Sequence, residues 1–231
     1  MSLPTPYYEH NGITIYCGDC REILPQLDVK VDLVLTDPPY GINFTAEGYD
    51  KHNMKYKTAA VRVIEQMAND DGSLDLSFLN NYPRRLIWGF PHLNDINATG
   101  WFVWIKHKND GDGAMGNPLE MAYTTLWSGF KWREHLWCGY LTGGEQRYSH
   151  PTQKPESIIA WLTERYSKLG ELILDPFLGS GTTAVCAKKL GRRCIGIEIE
   201  EKYCEIAVKR LSQEVMDFHT LPNLEKELKS E

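Results

Sequence analysis

A glycine-rich turn between a predicted strand and a predicted helix constrains the fold more than any other feature of the chain. The strand is the apolar run Leu172 to Leu174, and the helix covers Thr182 to Leu190 and ends before Gly191. Glycine is common directly after a helix, because it tolerates a left-handed backbone there. A strand, a short turn and a helix form the repeating unit of parallel sheets. The sequence therefore predicts an α/β fold.

The same alternation of strands and helices continues along most of the chain. Strands are predicted over residues 13–17, 31–36, 86–88, 101–105, 121–127 and 194–199. Helices are predicted over residues 21–27 and 58–67, from Pro155 onward with an apolar face of Ile158, Ile159, Leu162, Tyr166 and Leu169, and last with a stripe of Tyr203, Ala207 and Leu211. Buried apolar strands that alternate with amphipathic helices predict a doubly wound, mostly parallel sheet covered on both faces.

The length of 231 residues supports one well-buried domain that spans residues 1–231. Two segments have the composition of insertions: residues 41–83 are polar and irregular, and residues 128–149 carry aromatic side chains typical of an exposed recognition loop. The sequence has no run of about eighteen apolar residues, and its start lacks the features of a signal peptide. We therefore expect no membrane span, no membrane partner and a cytoplasmic location.

The spacing of Cys17 and Cys20 is that of a redox or zinc motif. A zinc site would need a second pair of ligands, and the other cysteines form no further pair with this spacing. Asp19 lies between the two thiols and would oppose a thiolate electrostatically. We therefore expect ordinary reduced cysteines and no metal.

The turn Gly179-Ser-Gly-Thr-Thr-Ala184 matches a nucleotide-binding pattern, since glycines allow a ligand to approach the backbone. Glu198 follows Gly179 by nineteen positions, at the end of the next predicted strand, where a carboxylate can accept hydrogen bonds from ribose hydroxyls. An adenosine cofactor is therefore predicted. A nicotinamide-dependent oxidoreductase fits badly, because only 33 residues follow Glu198.

The motif Asp37-Pro38-Pro39-Tyr40 directly follows the predicted strand over residues 31–36. The prolines end the strand and stiffen a turn that presents a carboxylate, a free carbonyl and an aromatic ring. These groups suit a planar aromatic amine, because two acceptors can take its N–H bonds while the ring stacks on it. The carboxyl end of a parallel strand is also where α/β sheets bind ligands.

Together the two motifs resemble those of the S-adenosylmethionine-dependent amino-methyltransferases of DNA. Their order, with the catalytic motif first and the cofactor motif last, is similar to that of the circularly permuted β subgroup. His150-Pro-Thr-Gln-Lys-Pro155 resembles a further cofactor segment of that subgroup, and Gly18-Asp-Cys20 its adenine-pocket segment. The resemblance implies a Rossmann-like methyltransferase fold, S-adenosylmethionine as the cofactor and double-stranded DNA as the partner.

The resemblance also implies roles for individual residues. Glu198 would hold the ribose, and Asp19 with the backbone of Cys20 would contact the adenine of the cofactor. Lys154 would lie near the carboxylate of the cofactor. The remaining implied cofactor residues are Asp175, Phe177, Gly179, Ser180, Gly181, Thr182 and Thr183. Asp37, the carbonyl of Pro38, Pro39 and Tyr40 would form the catalytic turn that holds a base flipped out of the duplex.

A net charge of −6 argues at first against a nucleic-acid partner. The charge is unevenly distributed, however, because residues 51–62 contain no acid and carry four basic side chains. These are Lys51, Lys55, Lys57 and Arg62. We expect them to contact DNA phosphates beside the flipped base.

Adenine N6 is the favoured methylation target, because Asp37 opens the catalytic motif where cytosine-N4 enzymes of the family often have serine. Cytosine N4, an RNA amine and a non-catalytic nucleic-acid-binding module remain the alternatives. Methylation of cytosine carbon 5 needs a cysteine nucleophile, usually after proline, and the chain has no Pro-Cys pair. The short recognition segments also leave open a homodimer in which a second subunit contributes to specificity.

Overall fold

The computed structural model describes residues 3–41, 75–93, 95–107, 118–137, 142–148, 150 and 152–213. The strands in these residues are β1 (Tyr8–His10), β2 (Ile13–Cys17), β3 (Leu33–Thr36), β4 (Arg85–Phe90), β5 (Gly100–Ile105), β6 (Leu119–Thr124), β7 (Gly129–Glu134), β8 (Leu172–Asp175) and β9 (Arg193–Glu198). The α-helices are α1 (Cys20–Ile23), α2 (Glu156–Tyr166), α3 (Thr182–Lys189) and α4 (Glu201–Ser212), and short 3-10 helices cover Leu24–Gln26 and Ser77–Asn81. The predicted helix over residues 58–67 lies outside the described residues.

All these strands form one sheet in the order β1-β2-β9-β8-β3-β4-β6-β5-β7. Strands β1 and β6 run antiparallel to their neighbours, and the other neighbouring pairs are parallel. This arrangement confirms the mostly parallel α/β sheet. Because β3 pairs with β8 and β8 pairs with β9, the turns that follow these three strands lie at the same edge of the sheet.

Successive side chains of each strand point to opposite faces of the sheet, which divides the core into two layers. Leu35 packs in the layer that also contains the buried faces of α2, α3 and α4. Its neighbour Val34 packs in the opposite layer, with residues of α1 and of the 3-10 helix Ser77–Asn81. The longer helices therefore cover one face, and the described cover of the other face consists of short helical segments.

The segment 128–149, predicted as an exposed loop, contains the edge strand Gly129–Glu134, so that prediction is wrong for these residues. Aromatic and basic side chains alternate along β7 with a period of two. The aromatic Trp132 is 62% exposed, whereas the ammonium of Lys131 lies 4.7 Å from the ring centroid of Trp127 on the other side. This alternation is the signal for a strand that composition alone does not reveal.

The helix predicted from Pro155 is α2, and Ile158, Ile159 and Leu162 are buried as expected. Leu169, however, is 77% exposed and lies beyond the end of this helix, so its place on the apolar face was wrong. The helix stops earlier because the backbone of Ser167 is extended, with φ −138° and ψ 161°. The N–H of Ser167 makes the last helical hydrogen bond, to the Thr163 carbonyl at 3.0 Å. In the described part of the chain no helix has the length and apolarity to cross a membrane.

Candidate active site

A cleft opens at the carboxyl ends of β3, β8 and β9, where Thr36, Asp175 and Glu198 line its wall. The cleft contains about 970 Å³ of space, which includes open solvent. The predicted cofactor residues that line it are Asp19, Cys20, Lys154, Asp175, Phe177, Gly179, Ser180, Thr182, Thr183 and Glu198. Asp37 and Pro39 of the catalytic motif line the same cleft. The fold therefore brings two motifs that are distant in sequence to one site.

The glycine turn has a backbone that only glycine adopts easily. Gly179 has a φ of +54°, and a Cβ there would lie 2.8 Å from Nε2 of His150. Gly181, which does not line the cleft, has a φ of +84° and would place a Cβ 2.6 Å from the Cβ of Ala207 in α4. The absence of a side chain at Gly179 thus leaves room for His150 beside the cleft. The absence of one at Gly181 allows α4 to pack against the start of α3.

Glu198 joins the glycine turn to the end of β9. Its Oε2 accepts a hydrogen bond from the N–H of Gly179 at 2.8 Å, and its Oε1 accepts one from the N–H of Glu200 at 2.8 Å. Burial raises the pKa of this carboxyl to about 7. Each oxygen of a carboxylate retains a second lone pair, so Glu198 can still accept two hydroxyl hydrogen bonds. The remaining acceptor positions of Glu198 and the space beside the glycine turn therefore fit an adenosine cofactor.

Asp175 ends β8, and its side chain is buried in the wall of the cleft. Its Oδ1 accepts hydrogen bonds from the hydroxyl of Thr36 at 2.6 Å and from the N–H of Phe177 at 3.2 Å. Burial raises the pKa of this carboxyl to about 6. Asp175 therefore ties the glycine turn to β3, the strand that carries the catalytic motif.

Asp37 directly follows the neighbouring strand β3, and its carboxylate is engaged at both oxygens. The hydroxyl of Tyr40 donates to Oδ1 at 2.7 Å, and the ammonium of Lys154 contacts Oδ2. Burial raises the pKa of Asp37, and the opposing effect of Lys154 is smaller. The Tyr40 ring stacks on His92, with centroids 5.8 Å apart and planes inclined by 14°. Neither Tyr40 nor Pro38 lines the cofactor cleft, so the catalytic turn faces it through Asp37 and Pro39.

Lys154 lines the cleft, as the sequence resemblance implied, and its ammonium also pairs with carboxylates beside the catalytic motif. Its ammonium lies between the carboxylates of Asp37 and Glu120, 3.2 Å from Oε2 of Glu120. Lys106 forms an ion pair with the other oxygen of Glu120. The side chain of Lys154 is 7% exposed, so these carboxylates replace the water that would otherwise solvate its charge.

Asp19 serves the local fold at the start of α1. Its carboxylate accepts from the backbone N–H of Arg21 at 2.8 Å and also pairs with the Arg21 guanidinium. Cys17 and Cys20 are free thiols, and burial raises the pKa of Cys20 to about 12. Burial therefore disfavours the thiolate form of Cys20.

Sequence reasoning missed Arg210, whose side chain is buried beneath the glycine turn. Its guanidinium donates to the carbonyl of Ser180 at 2.7 Å, to the hydroxyl of Thr182 at 3.1 Å and to Glu156 at 2.9 Å. The available signal was its position beside the buried stripe of α4, three residues after Ala207. Glu120 was missed as well, because nothing in an exposed-looking strand end marks it as a partner of Lys154.

The predicted DNA-contacting residues Lys51, Lys55, Lys57 and Arg62 lie outside the described residues. Across the ranges that the structure describes, no cluster of three or more His, Cys, Asp or Glu side chains is arranged to hold a metal ion.

Sequence comparison finds close relatives along nearly the whole chain. The chain is 47% identical over 259 residues to the type II methyltransferase M2.LlaDCHI of Lactococcus lactis subsp. cremoris, covering 91% of this chain and 93% of that protein. It is 30% identical over 257 residues to the type II methyltransferase M2.DpnII of Streptococcus pneumoniae, covering 92% and 94%. The N6/N4 methyltransferase family model, described as DNA methylase, matches residues 117–209.

Solved structures share the fold at lower identity. The M1.HpyAVI–SAM complex superposes with a TM-score of 0.54 at 24% identity, covering 86% of this chain and 99% of that chain. The cytosine-N4-specific PvuII DNA methyltransferase superposes with a TM-score of 0.56 at 13% identity, covering 90% and 89%. The similarity of these structures extends over the whole sheet rather than over one motif.

Proposed function

Because the chain belongs to the S-adenosylmethionine-dependent amino-methyltransferases of DNA, we propose that it methylates the N6 amine of adenine in double-stranded DNA. The observation that supports this most is the pairing of β3 with β8. That pairing brings the catalytic turn to the cleft that contains Glu198 and the glycine turn. The acceptor of the methyl group and its donor can therefore meet at one edge of the sheet.

S-adenosylmethionine is the cofactor of this family and supplies an electrophilic methyl group when bound. In our proposal Glu198 accepts hydrogen bonds from the ribose hydroxyls, and Asp19 with the backbone of Cys20 lies beside the adenine. Phe177 and the glycine turn line the rest of the cleft. Thr182 and Thr183 begin α3, where backbone N–H groups favour a carboxylate.

Asp37 is the proposed acceptor for the target amine. The lone pair of an exocyclic base amine is delocalised into the ring, so the amine is a poor nucleophile until its N–H groups are hydrogen-bonded. Asp37 and the Pro38 carbonyl would accept these hydrogen bonds and favour a tetrahedral nitrogen. As the N–CH₃ bond forms and the S–CH₃ bond breaks, the nitrogen must release one proton. The Asp37 carboxylate, whose pKa is raised by burial, is the proposed acceptor of that proton.

The target base must leave the duplex before it can reach Asp37, since its amine is paired and stacked there. Tyr40 would stack on the extruded base. His92 covers one face of the Tyr40 ring, so the base would either take the place of His92 or use the opposite face. Adenine is preferred over cytosine because aspartate occupies the first position of the motif. Cytosine N4 is the second candidate, since the same two acceptors can bind its amine equally well.

The stretch with Lys51, Lys55, Lys57 and Arg62 is the proposed contact to phosphates flanking the base. Each phosphate contact contributes about 0.9 to the slope of duplex affinity against salt concentration on logarithmic axes. Replacing Lys51, Lys55 and Lys57 together by glutamine should therefore lower this slope by about two to three. An unchanged slope would assign these lysines to solvent. A homodimer that shares DNA recognition is proposed on the short recognition segments alone.

One experiment tests both the substrate and the modified atom. The protein is incubated with methyl-labelled S-adenosylmethionine and unmethylated duplex DNA or RNA, and the product is digested to nucleosides. We expect label in N6-methyldeoxyadenosine from the DNA, and far less label in the same incubation time when Asp37→Asn replaces the wild type. Label in N4-methyldeoxycytidine would move the target to cytosine, and label only in RNA would reject DNA as the substrate. The absence of label with every substrate would reject catalysis in favour of a binding module.

A further inference from the structure

Four charged side chains form a continuous row beside the catalytic turn. The ammonium of Lys154 contacts Oδ2 of Asp37 and lies 3.2 Å from Oε2 of Glu120, and Lys106 pairs with Oε1 of Glu120. The side chains of Asp37 and Glu120 are 19% and 26% exposed, so both face partly away from water. The row contains two positive and two negative charges, and Lys154 is its most buried member.

The structure shows that Lys154 has two carboxylates within reach, whereas Asp37 has a second task in the proposed reaction. Asp37 must accept an N–H of the target amine and then its proton, and each event weakens its pairing with Lys154. A buried ammonium that loses its only counter-charge is costly, because little water replaces the partner. Lys154 would also repel the positive charge that develops on the amine nitrogen. A second carboxylate beside Lys154 offsets both effects.

We propose that Glu120 is a positioning residue that carries the counter-charge of Lys154 while Asp37 is engaged with the target amine. The proposal rests on the proposed function for the role of Asp37. Glu120 itself does not line the cofactor cleft. No large movement is needed, since the Lys154 ammonium has three N–H donors and already lies between both carboxylates. Lys106 holds Glu120 in place from its other oxygen.

The first test measures thermal stability in the absence of DNA and cofactor, so it does not depend on activity. Asp37→Asn and Glu120→Gln are made singly and together. Each single variant keeps one carboxylate for Lys154, and its melting temperature should fall by only a few degrees. The double variant should lose on the order of 5–10 °C more than the sum of the two, because the buried ammonium then has no carboxylate.

Adding Lys154→Met to the double variant should remove this excess loss, since no buried charge remains to be paired. The same rescue applies if the double variant fails to fold while both single variants fold. Additive losses, or an excess that persists in the Lys154→Met background, would overturn the assignment of Glu120 as the second partner of Lys154.

The second test separates positioning from a stabilising role by single-turnover methylation with saturating cofactor. Glu120→Gln should methylate about 10- to 100-fold more slowly, with cofactor affinity and base extrusion unchanged. The matched control is Glu205→Gln on the exposed face of α4, which should methylate at the wild-type rate. A folded Glu120→Gln protein with the wild-type rate would overturn the proposal while the proposed function stands. A wild-type protein without methylation activity would instead reject the proposed function, and the stability measurements would still test the pairing.

Discussion

Two aspartate–proline turns end neighbouring strands of the sheet, and they differ in what surrounds the aspartate. After β3, Asp37 is paired with the ammonium of Lys154 and the hydroxyl of Tyr40. After β8, Asp175 has neutral partners, the hydroxyl of Thr36 and a backbone N–H. The same dipeptide thus has a charged partner in the turn after β3 and neutral hydrogen-bond donors in the turn after β8. The electrostatic surroundings, more than the motif itself, distinguish Asp37, the proposed catalytic aspartate, from Asp175.

The largest expected effect is the difference between Asp37→Asn and Asp175→Asn. Asp37→Asn should lower the single-turnover methylation rate by about two to four powers of ten, because the amide is a poor acceptor for the amine proton. Cofactor affinity should remain near normal. Asp175→Asn keeps an oxygen for the Thr36 hydroxyl and should lower the rate by about tenfold or less. If both variants fold and lose the same factor in methylation rate, the proposed difference in role between Asp37 and Asp175 is wrong.

The second expected effect tests whether the turn after β8 depends on its buried support. Arg210→Met removes the donors to the Ser180 carbonyl and to Glu156. The free energy of unfolding should fall by about 2–3 kcal/mol, less than for a fully buried pair because Glu156 is partly exposed and also binds Lys189. Urea unfolding measures this loss. Lys209→Met, on the exposed face of the same helix, is the control and should change stability by about 0.5 kcal/mol or less.

The third prediction concerns the aromatic residue of the turn after β3. Tyr40→Ala should cost about 1–3 kcal/mol in capture of the extruded base, since the stacking surface is lost. Tyr40→Phe keeps the ring and loses the hydroxyl, which donates to Asp37 and accepts a longer hydrogen bond from Lys154, so it should cost about 0.5–1.5 kcal/mol. Fluorescence of 2-aminopurine at the target position reports base extrusion. If Tyr40→Ala extrudes the base as well as the wild type, the ring has a structural role only.

The smallest effect is a pH dependence at the glycine turn. The pKa of Glu198 is raised to about 7, so the carboxyl is mostly protonated below that pH and ionised above it. Because the ionised form accepts hydroxyl hydrogen bonds, cofactor affinity should be lost as the pH falls and should rise by about tenfold from about pH 6 to about pH 8. Glu198→Gln should remove this dependence, whereas Glu198→Ala should weaken binding by about 1–3 kcal/mol. Calorimetry across this pH range measures the cofactor affinity. A wild-type affinity that does not change with pH would exclude Glu198 from the ribose contact.

Local features of the chain were enough to predict the sheet class and most strand positions, and the motifs marked part of the lining of the cleft. Strand β2 spans Ile13–Cys17 as predicted, because its β-branched and aromatic residues favour a strand and are visible in the sequence. The glycine turn was equally visible, since a positive φ at Gly179 and Gly181 restricts the residue type at each position. Edge strand β7 was missed, because its exposure allows a composition that resembles a loop.

Contacts between distant parts of the chain were decided only by the tertiary structure. Lys154 lies 117 positions from Asp37 in sequence, and no local pattern predicts that the two side chains pair. In the sequence nothing distinguishes Arg210 from other residues of α4, and its hydrogen bonds exist only because α4 packs under the glycine turn. Periodicity reports which face of an element is buried, but partner choice among buried charges depends on which strands become neighbours. The sequence by itself therefore determined the elements and the motifs of this protein, whereas the tertiary structure decided which charges meet.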